Sequence, residues 1–166
     1  MIRTALLTTT VATALIFAGS AQANEGTGAM EGSYILLQDN AHQRVLSFSP
    51  GGSVSQVSDQ EALIGFTASL GAWTKTGTGT AKAELISFNF DVKETGGGDG
   101  ITRTTYELTF SDLKDGAYRS VEGSYSGQTF EKGENPLAPT TDPVHSFATS
   151  FTGQRVSAGP ESAGPA

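Results

Sequence analysis

The sequence GAWTKTGTGTAKAELISFNFDV, residues 71–92, gives the clearest indication of how this chain folds. Its second half alternates in side-chain character, and a period of two is typical of a β-strand with one buried and one solvated face. The residues that we assign to the buried face are Ile86, Phe88, Phe90 and Val92. A preceding strand carries the only tryptophan, Trp73, and Thr76-Gly77-Thr78-Gly79 suits a hairpin turn between the two.

Further extended segments follow the same rhythm and are separated by turns. They lie at about 32–37, 43–49, 53–57, 101–110, 118–127 and 144–156. Eight strands joined in chain order favour an antiparallel meander, and closure removes exposed strand edges. We therefore predict an all-β fold, a single antiparallel, eight-stranded up-and-down barrel over residues 32–156. Such a barrel either holds one small ligand or is filled by side chains, and the sequence leaves both open.

The two ends of the chain are predicted to lie outside the barrel. Residues 1–23 have the pattern of a Sec-type signal peptide, with an apolar run and the cleavage signal Ala21-Gln22-Ala23. We expect cleavage after Ala23, a secreted or periplasmic protein and no membrane insertion afterwards. Residues 24–31 are predicted to be a flexible lead-in, and residues 157–166 a disordered tail. The chain has no cysteine and no N-glycosylation sequon, which favours a bacterial source.

The charge and the reactive side chains argue against several classes of function. The net charge is −7 at pH 7, so we expect no nucleic-acid partner. The two histidines, His42 and His145, lack the spacing of a metal site. We predict no catalytic residues, no metal and no cofactor, and the oligomeric state stays open.

The segment from Ser58 to Leu70 breaks the alternation. We predict one helical turn through Gln60–Leu63, begun by Ser58 or Asp59. Leu63, Phe66 and Leu70 either plug an open end of the barrel or anchor a loop.

Several short motifs resemble those of a known group of proteins. They are Gly32-Ser33-Tyr34, Leu70-Gly71-Ala72-Trp73, Ile86-x-Phe88-x-Phe90-Asp91, Tyr106-x-Leu108-x-Phe110 and Phe147…Phe151-x-Gly153. Together they resemble small secreted bacterial proteins of the lipocalin-like (calycin) β-barrel type. Lipocalins carry a Gly-x-Trp on the first strand, under an arginine from the last strand. The resemblance implies that Arg155 packs over Tyr34, which stands in the tryptophan's place, and closes one end of the barrel.

The aromatic residues suggest where a ligand would bind. The candidate cavity residues are Tyr34, Trp73, Phe88, Phe90, Tyr106, Leu108, Tyr125, Phe147 and Phe151. Inward tyrosines would give an apolar cavity with a few hydroxyl donors, so we expect a non-catalytic binder of a small, mainly apolar ligand.

Two alternatives to this binder stay open. The first is an isomerase or cyclase of the allene oxide cyclase-like barrel type, which needs a buried ionisable group, with Glu107, Glu122 or Arg119 as candidates. The second is a solid-cored interaction protein that uses the loop at 131–143 and exposes Leu137.

Overall fold

The computed structural model describes residues 27–90 and 99–157. Eight antiparallel strands close into one up-and-down barrel, which confirms the predicted fold class. The strands are β1 (Gly32–Gln38), β2 (Gln43–Phe48), β3 (Ser53–Ser58), β4 (Ser69–Gly77), β5 (Thr80–Asn89), β6 (Gly100–Lys114), β7 (Ala117–Glu131) and β8 (His145–Arg155), and a short helix, α1 (Glu61–Ile64), connects β3 to β4. The predicted signal peptide and most of the predicted tail lie outside the described residues.

The barrel has a closed end, where β1 begins and β8 ends, and an open end, where β1 ends and β8 begins. A turn of the N-terminal segment packs at the closed end. The backbone N–H of Tyr118 donates to the carbonyl of Ala29 at 2.9 Å, and the side chain of Met30 is fully buried. The flexible lead-in was predicted for residues 24–31, and the structure describes residues 27–31 of it, which are held at the closed end by these contacts.

The two faces of β5 are exchanged relative to the prediction. Leu85 and Ser87 are buried, whereas Phe88 is 62% exposed and Phe90, just beyond the strand, is 44% exposed. The assignment of Phe88 and Phe90 to the cavity was therefore wrong, and Val92 lies outside the described residues.

The register of the neighbouring strands explains this exchange. Ala83 lies between Trp73 on β4 and Tyr106 on β6, and all three side chains are buried. Two large rings beside β5 leave room only for small inward residues near the closed end, and Ala81 and Ala83 provide them. Side chains alternate between the faces, so this phase places Phe88 outside the barrel.

Interlocking aromatic rings fill the closed half of the barrel. Phe48 contacts Tyr34, Trp73 and Phe110 edge to face, with ring centroids 6.0, 5.4 and 5.6 Å away. The indole N–H of Trp73 donates to the carbonyl of Ser49 at 3.2 Å, so the buried polar atom of this ring has a partner. This half is a solid core.

Two glycines of β7 make room for rings from β8. Gly123 pairs with Phe151 and Gly127 with Phe147. A Cβ atom on Gly127 would clash with the ring of Phe147. Both glycines lie in an unbroken stretch of register, so they admit aromatic side chains and mark no bulge.

Candidate functional site

The inward faces of the strands change from apolar to polar toward the open end. On β1 the inward series is Tyr34, Leu36, Gln38, and on β6, read from the other direction, it is Phe110, Leu108, Tyr106, Thr104, Thr102. The buried polar side chains are Gln38, Arg44, Gln56, Ser69, Ser87, Thr102, Thr104 and Thr129, and every strand from β1 to β7 contributes at least one.

A cavity of about 730 Å³ occupies the open half of the barrel. Gln38, Arg44 and Ser87 are among the polar residues of its wall, and Phe147 adds an aromatic ring. The cavity opens to solvent at this end, where α1 and the residues after it contribute Ile64 and Phe66 to the lining.

The helical turn predicted before β4 is present as α1, shifted by one residue. Of the three residues predicted to plug the barrel or anchor a loop, only Phe66 lines the cavity. Leu63 and Leu70 are exposed, so a plug built from all three was wrong. Among the described residues, α1 and the segment after it therefore do not close this end of the barrel.

The nine candidate cavity residues separate into three groups. Two line the cavity, and they are Tyr125 and Phe147. Five are buried or nearly buried in the core, and they are Tyr34, Trp73, Tyr106, Leu108 and Phe151. The remaining two are exposed, as described above. The sequence left open whether the barrel is filled by side chains or hollow. In the structure, the closed half is filled and the open half is hollow.

Arg44 and Gln38 are the most unusual groups on the cavity wall. Their side chains are 8% and 3% exposed, and both line the cavity. The Nε atom of Arg44 and the Nε2 atom of Gln38 are buried donors that find no hydrogen-bond acceptor among the described residues. Within the described parts of the chain, no carboxylate forms an ion pair with Arg44.

Two buried tyrosines surround Arg44. The guanidinium carbon of Arg44 lies 4.7 Å from the centre of the Tyr125 ring, in the geometry of a cation–π contact. The hydroxyl of Tyr125 donates to Oε1 of Gln38 at 2.6 Å, and the hydroxyl of Tyr106 donates to Oε1 of Gln56. Burial raises the pKa of both phenols, against the opposing effect of the Arg44 charge. Both hydroxyls therefore stay protonated and act as donors at neutral pH.

Sequence reasoning missed Arg44, although a signal was present. In the segment QRVLSF, Arg44 shares one strand face with Leu46 and Phe48, because the three are two residues apart. The ionisable residues that were proposed instead do not line the cavity. Glu107 pairs with Lys82 at 3.0 Å and Arg119 pairs with Asp115 at 3.1 Å, while Glu122 is exposed.

The closed end carries the pairing that the resemblance implied. Nη1 of Arg155 donates to the hydroxyl of Tyr34 at 3.0 Å and to the carbonyl of Ala29 at 3.4 Å. The guanidinium carbon of Arg155 lies 5.5 Å from the centre of the Tyr34 ring. Arg155 thus ties the last strand to the first strand and to the N-terminal turn.

The remaining ionisable groups of the cavity lie toward its rim. Asp99, Glu131 and His145 belong to the lining, and all three are exposed. The ammonium of Lys132 lies 2.8 Å from the carboxylate of Asp99. Among residues 27–90 and 99–157, no group of three or more histidines and acids could hold a metal ion. The same residues contain no helix that is long and apolar enough to cross a membrane.

The long loop between β7 and β8 is ordered by its own contacts. The carboxylate of Glu134 accepts a hydrogen bond from the backbone N–H of Thr140 at 2.6 Å, and Pro136 is buried. Leu137 is exposed at the surface of this loop, as the interaction hypothesis required.

Comparison with known proteins found no family model, no curated protein and no solved structure that matches this chain. The structure itself defines the class of protein, an eight-stranded antiparallel β-barrel with one filled end and one open, cavity-bearing end.

Proposed function

We propose that the protein is a non-catalytic binder that holds one small molecule in the open half of its barrel. The cavity carries this proposal, because a volume of about 730 Å³ falls within the range of small-molecule sites, about 300–1,000 Å³. The solid aromatic core beneath it gives the cavity a rigid floor, and a preformed site loses little entropy on binding.

The sequence suggested a mainly apolar ligand, whereas the residues that line the cavity favour an amphipathic one. Gln38, Arg44 and Ser87 offer polar groups on the wall, whereas Ile64 and Phe66 offer apolar contacts. A polar group of the ligand would contact the wall, and its apolar part would extend toward the mouth.

Secretion and membership of the lipocalin-like barrels belong to the same proposal. The A-x-A pattern at Ala21-Gln22-Ala23 supports a secreted or periplasmic location. The contact between Arg155 and Tyr34 supports the lipocalin-like relationship, since an arginine of the last strand covers an aromatic ring of the first.

The two alternative functions have less support. The three ionisable residues that were candidates for an isomerase or cyclase lie away from the cavity, and Arg44, which is buried there, keeps its proton and cannot serve as a general acid or base. The exposure of Leu137 favours an interaction protein, but such a protein was expected to have a solid barrel, and the open half is hollow.

A blocking substitution tests the proposal. We expect the wild-type protein to bind the neutral fluorescent probe phenylnaphthylamine saturably, with one site per chain. Ser87→Trp places a large ring on the cavity wall and should weaken binding by at least about tenfold. Ser126→Trp, on the exposed outer face of β7, is the matched control and should bind like the wild type.

Fluorescence titration and thermal melting of all three proteins give the readouts. Wild-type protein that shows no saturable binding contradicts the proposal, as does Ser87→Trp protein that is folded and binds with unchanged affinity. Thr104→Trp provides a second blocking variant if Ser87→Trp does not fold, because Thr104 also lines the cavity.

A further inference from the structure

We propose that the ligand carries a monoanionic carboxylate, which docks on Arg44 and Gln38 inside the barrel. This inference rests on the proposed function, since it assigns the chemistry of the ligand in the same cavity. The apolar part of the ligand would extend from this site toward the mouth.

The buried charge of Arg44 gives the first argument. A guanidinium cannot lose its proton in a protein, so this side chain carries a full positive charge while 8% exposed. Burial of a charge is costly unless the charge is paired. The Tyr125 ring, 4.7 Å away, and the hydroxyls of Tyr106 and Tyr125, which also interact with Arg44, compensate this charge only in part, and no described carboxylate is paired with it. An anionic ligand would supply the missing partner.

The unpartnered donors give the second argument. Within residues 27–90 and 99–157, neither Nε of Arg44 nor Nε2 of Gln38 has an acceptor. In the register of β1 and β2, Arg44 lies opposite Leu36, which is two residues before Gln38. Arg44 and Gln38 are therefore diagonal neighbours on the inner face. The Tyr125 hydroxyl occupies Oε1 of Gln38, which leaves the amide N–H groups for a ligand. Two adjacent N–H donors match the two oxygens of a carboxylate.

The other charged groups around the cavity favour a single negative charge. Glu131 lies at the exposed rim and would repel a dianion on its way in. No lysine belongs to the lining that the structure describes, so Arg44 offers one positive charge. A carboxylate balances that charge, whereas a phosphate monoester at neutral pH would exceed it.

Three probes of similar length and different head group test the inference. Decanoate, decanol and decyl phosphate are each titrated against wild-type protein loaded with phenylnaphthylamine. We expect decanoate to displace the probe with at least about tenfold higher affinity than decanol, because only decanoate neutralises Arg44. Decyl phosphate should bind more weakly than decanoate.

Variants of the two donors sharpen this test. Arg44→Met should lower the affinity for decanoate to that for decanol, and should leave decanol within about threefold of its wild-type affinity. Gln38→Glu introduces a carboxylate beside Arg44 and should weaken decanoate binding by at least about tenfold while Arg44 is retained. Arg103→Met removes an arginine of the open half that donates to Gln128 at 2.7 Å and does not line the cavity, so it should bind all three probes like the wild type.

Each outcome distinguishes this inference from the proposed function. Equal affinities for decanoate and decanol, with phenylnaphthylamine still bound, overturn the carboxylate site and leave the binding function standing. If decyl phosphate binds more tightly than decanoate, the site prefers a phosphate to a carboxylate, and the inference is overturned. Wild-type protein that binds no probe at all removes both proposals.

Discussion

The closed half and the open half of this barrel are built from the same eight strands but have opposite interiors. In the closed half, Phe48 meets three other rings edge to face. In the open half, the same strands surround a cavity of about 730 Å³ and a buried arginine. Strand alternation therefore decides which side chains face inward, while their level along the barrel axis decides whether they fill space or line a site.

Two arginines show the same contrast on a smaller scale. Arg155 and Arg44 each lie over a tyrosine ring, at 5.5 and 4.7 Å from its centre. Arg155 donates to the Tyr34 hydroxyl at 3.0 Å, whereas Nε of Arg44 has no acceptor in the part of the chain that the structure describes. The first arginine completes the fold, and the second is the group that we propose for ligand binding.

The free energy of unfolding should change most when an aromatic ring is removed from the closed half. Phe48→Ala should lower the free energy of unfolding by about 3–5 kcal/mol, because it removes a ring that is 3% exposed and leaves a cavity. The matched variant is Phe88→Ala, whose ring lies on the outer face, and it should change this free energy by less than about 1 kcal/mol. Urea denaturation measures both. Similar losses in the two variants would contradict the assignment of Phe88 to the outer face of β5 and of Phe48 to the filled half of the barrel.

The arginine of the closed end gives the next largest effect. Arg155→Met should lower the free energy of unfolding by about 1–2 kcal/mol, since the hydrogen bond and the cation–π contact with Tyr34 are both lost. Arg155→Lys keeps the charge and should recover part of the loss. Unchanged urea denaturation curves would show that Arg155 does not hold the closed end together.

The arginine of the open half should respond in the opposite direction. Arg44→Met should raise the free energy of unfolding by about 1 kcal/mol in the absence of ligand, because an apolar side chain of similar length relieves a buried charge without an acidic partner. Urea denaturation of the unliganded protein tests the sign. A loss of more than about 2 kcal/mol would mean that Arg44 stabilises the barrel like Arg155.

The smallest effect concerns the exposed rim of the open half. The backbone N–H of Gln43 donates to the Asp59 carboxylate at 3.1 Å and lowers the pKa of Asp59, and His42 lowers it further from 3.5 Å. Since the folded-state pKa lies below the unfolded one, the resulting stabilisation is present above the unfolded pKa and lost as the pH falls through the folded pKa.

Asp59→Asn should therefore lower the melting temperature slightly, by no more than about 2 °C at about pH 7. The difference from wild type should shrink toward about pH 2, where Asp59 is protonated. Thermal melting across this pH range checks the prediction. A difference that persists at low pH would indicate a contact of Asp59 that does not depend on its charge.

Much of the architecture could be predicted because it depends on local chemistry. The period of two along β1 and β6 predicts strands, and the turn before β5 uses Gly79 at a φ of 70°. The resemblance to lipocalin-like barrels predicted the contact between Arg155 and Tyr34. These features depend on single strands, on a turn or on a motif.

The site could be predicted only in part. Tyr125 and Phe147 line the cavity as predicted, but Phe88 and Phe90 were assigned to the buried face because these apolar residues alternate with polar ones along residues 86–91. Arg44 escaped notice because an arginine next to a turn is normally solvated. The strand face of Arg44 could be inferred from Leu46 and Phe48, yet the burial of Arg44 depends on strands far away in the chain.

The alternation of side chains and the turn residues were enough to predict the strands, the turns and the pairing of consecutive strands into an antiparallel barrel. The buried face of β5 and the division of the interior into a filled half and a hollow half depend on how the strands pack around one another. Alternation is a property of one strand, whereas interior space is shared by all eight. Ala83 is inside because Trp73 and Tyr106 are large, and Arg44 is buried because the barrel closes around it.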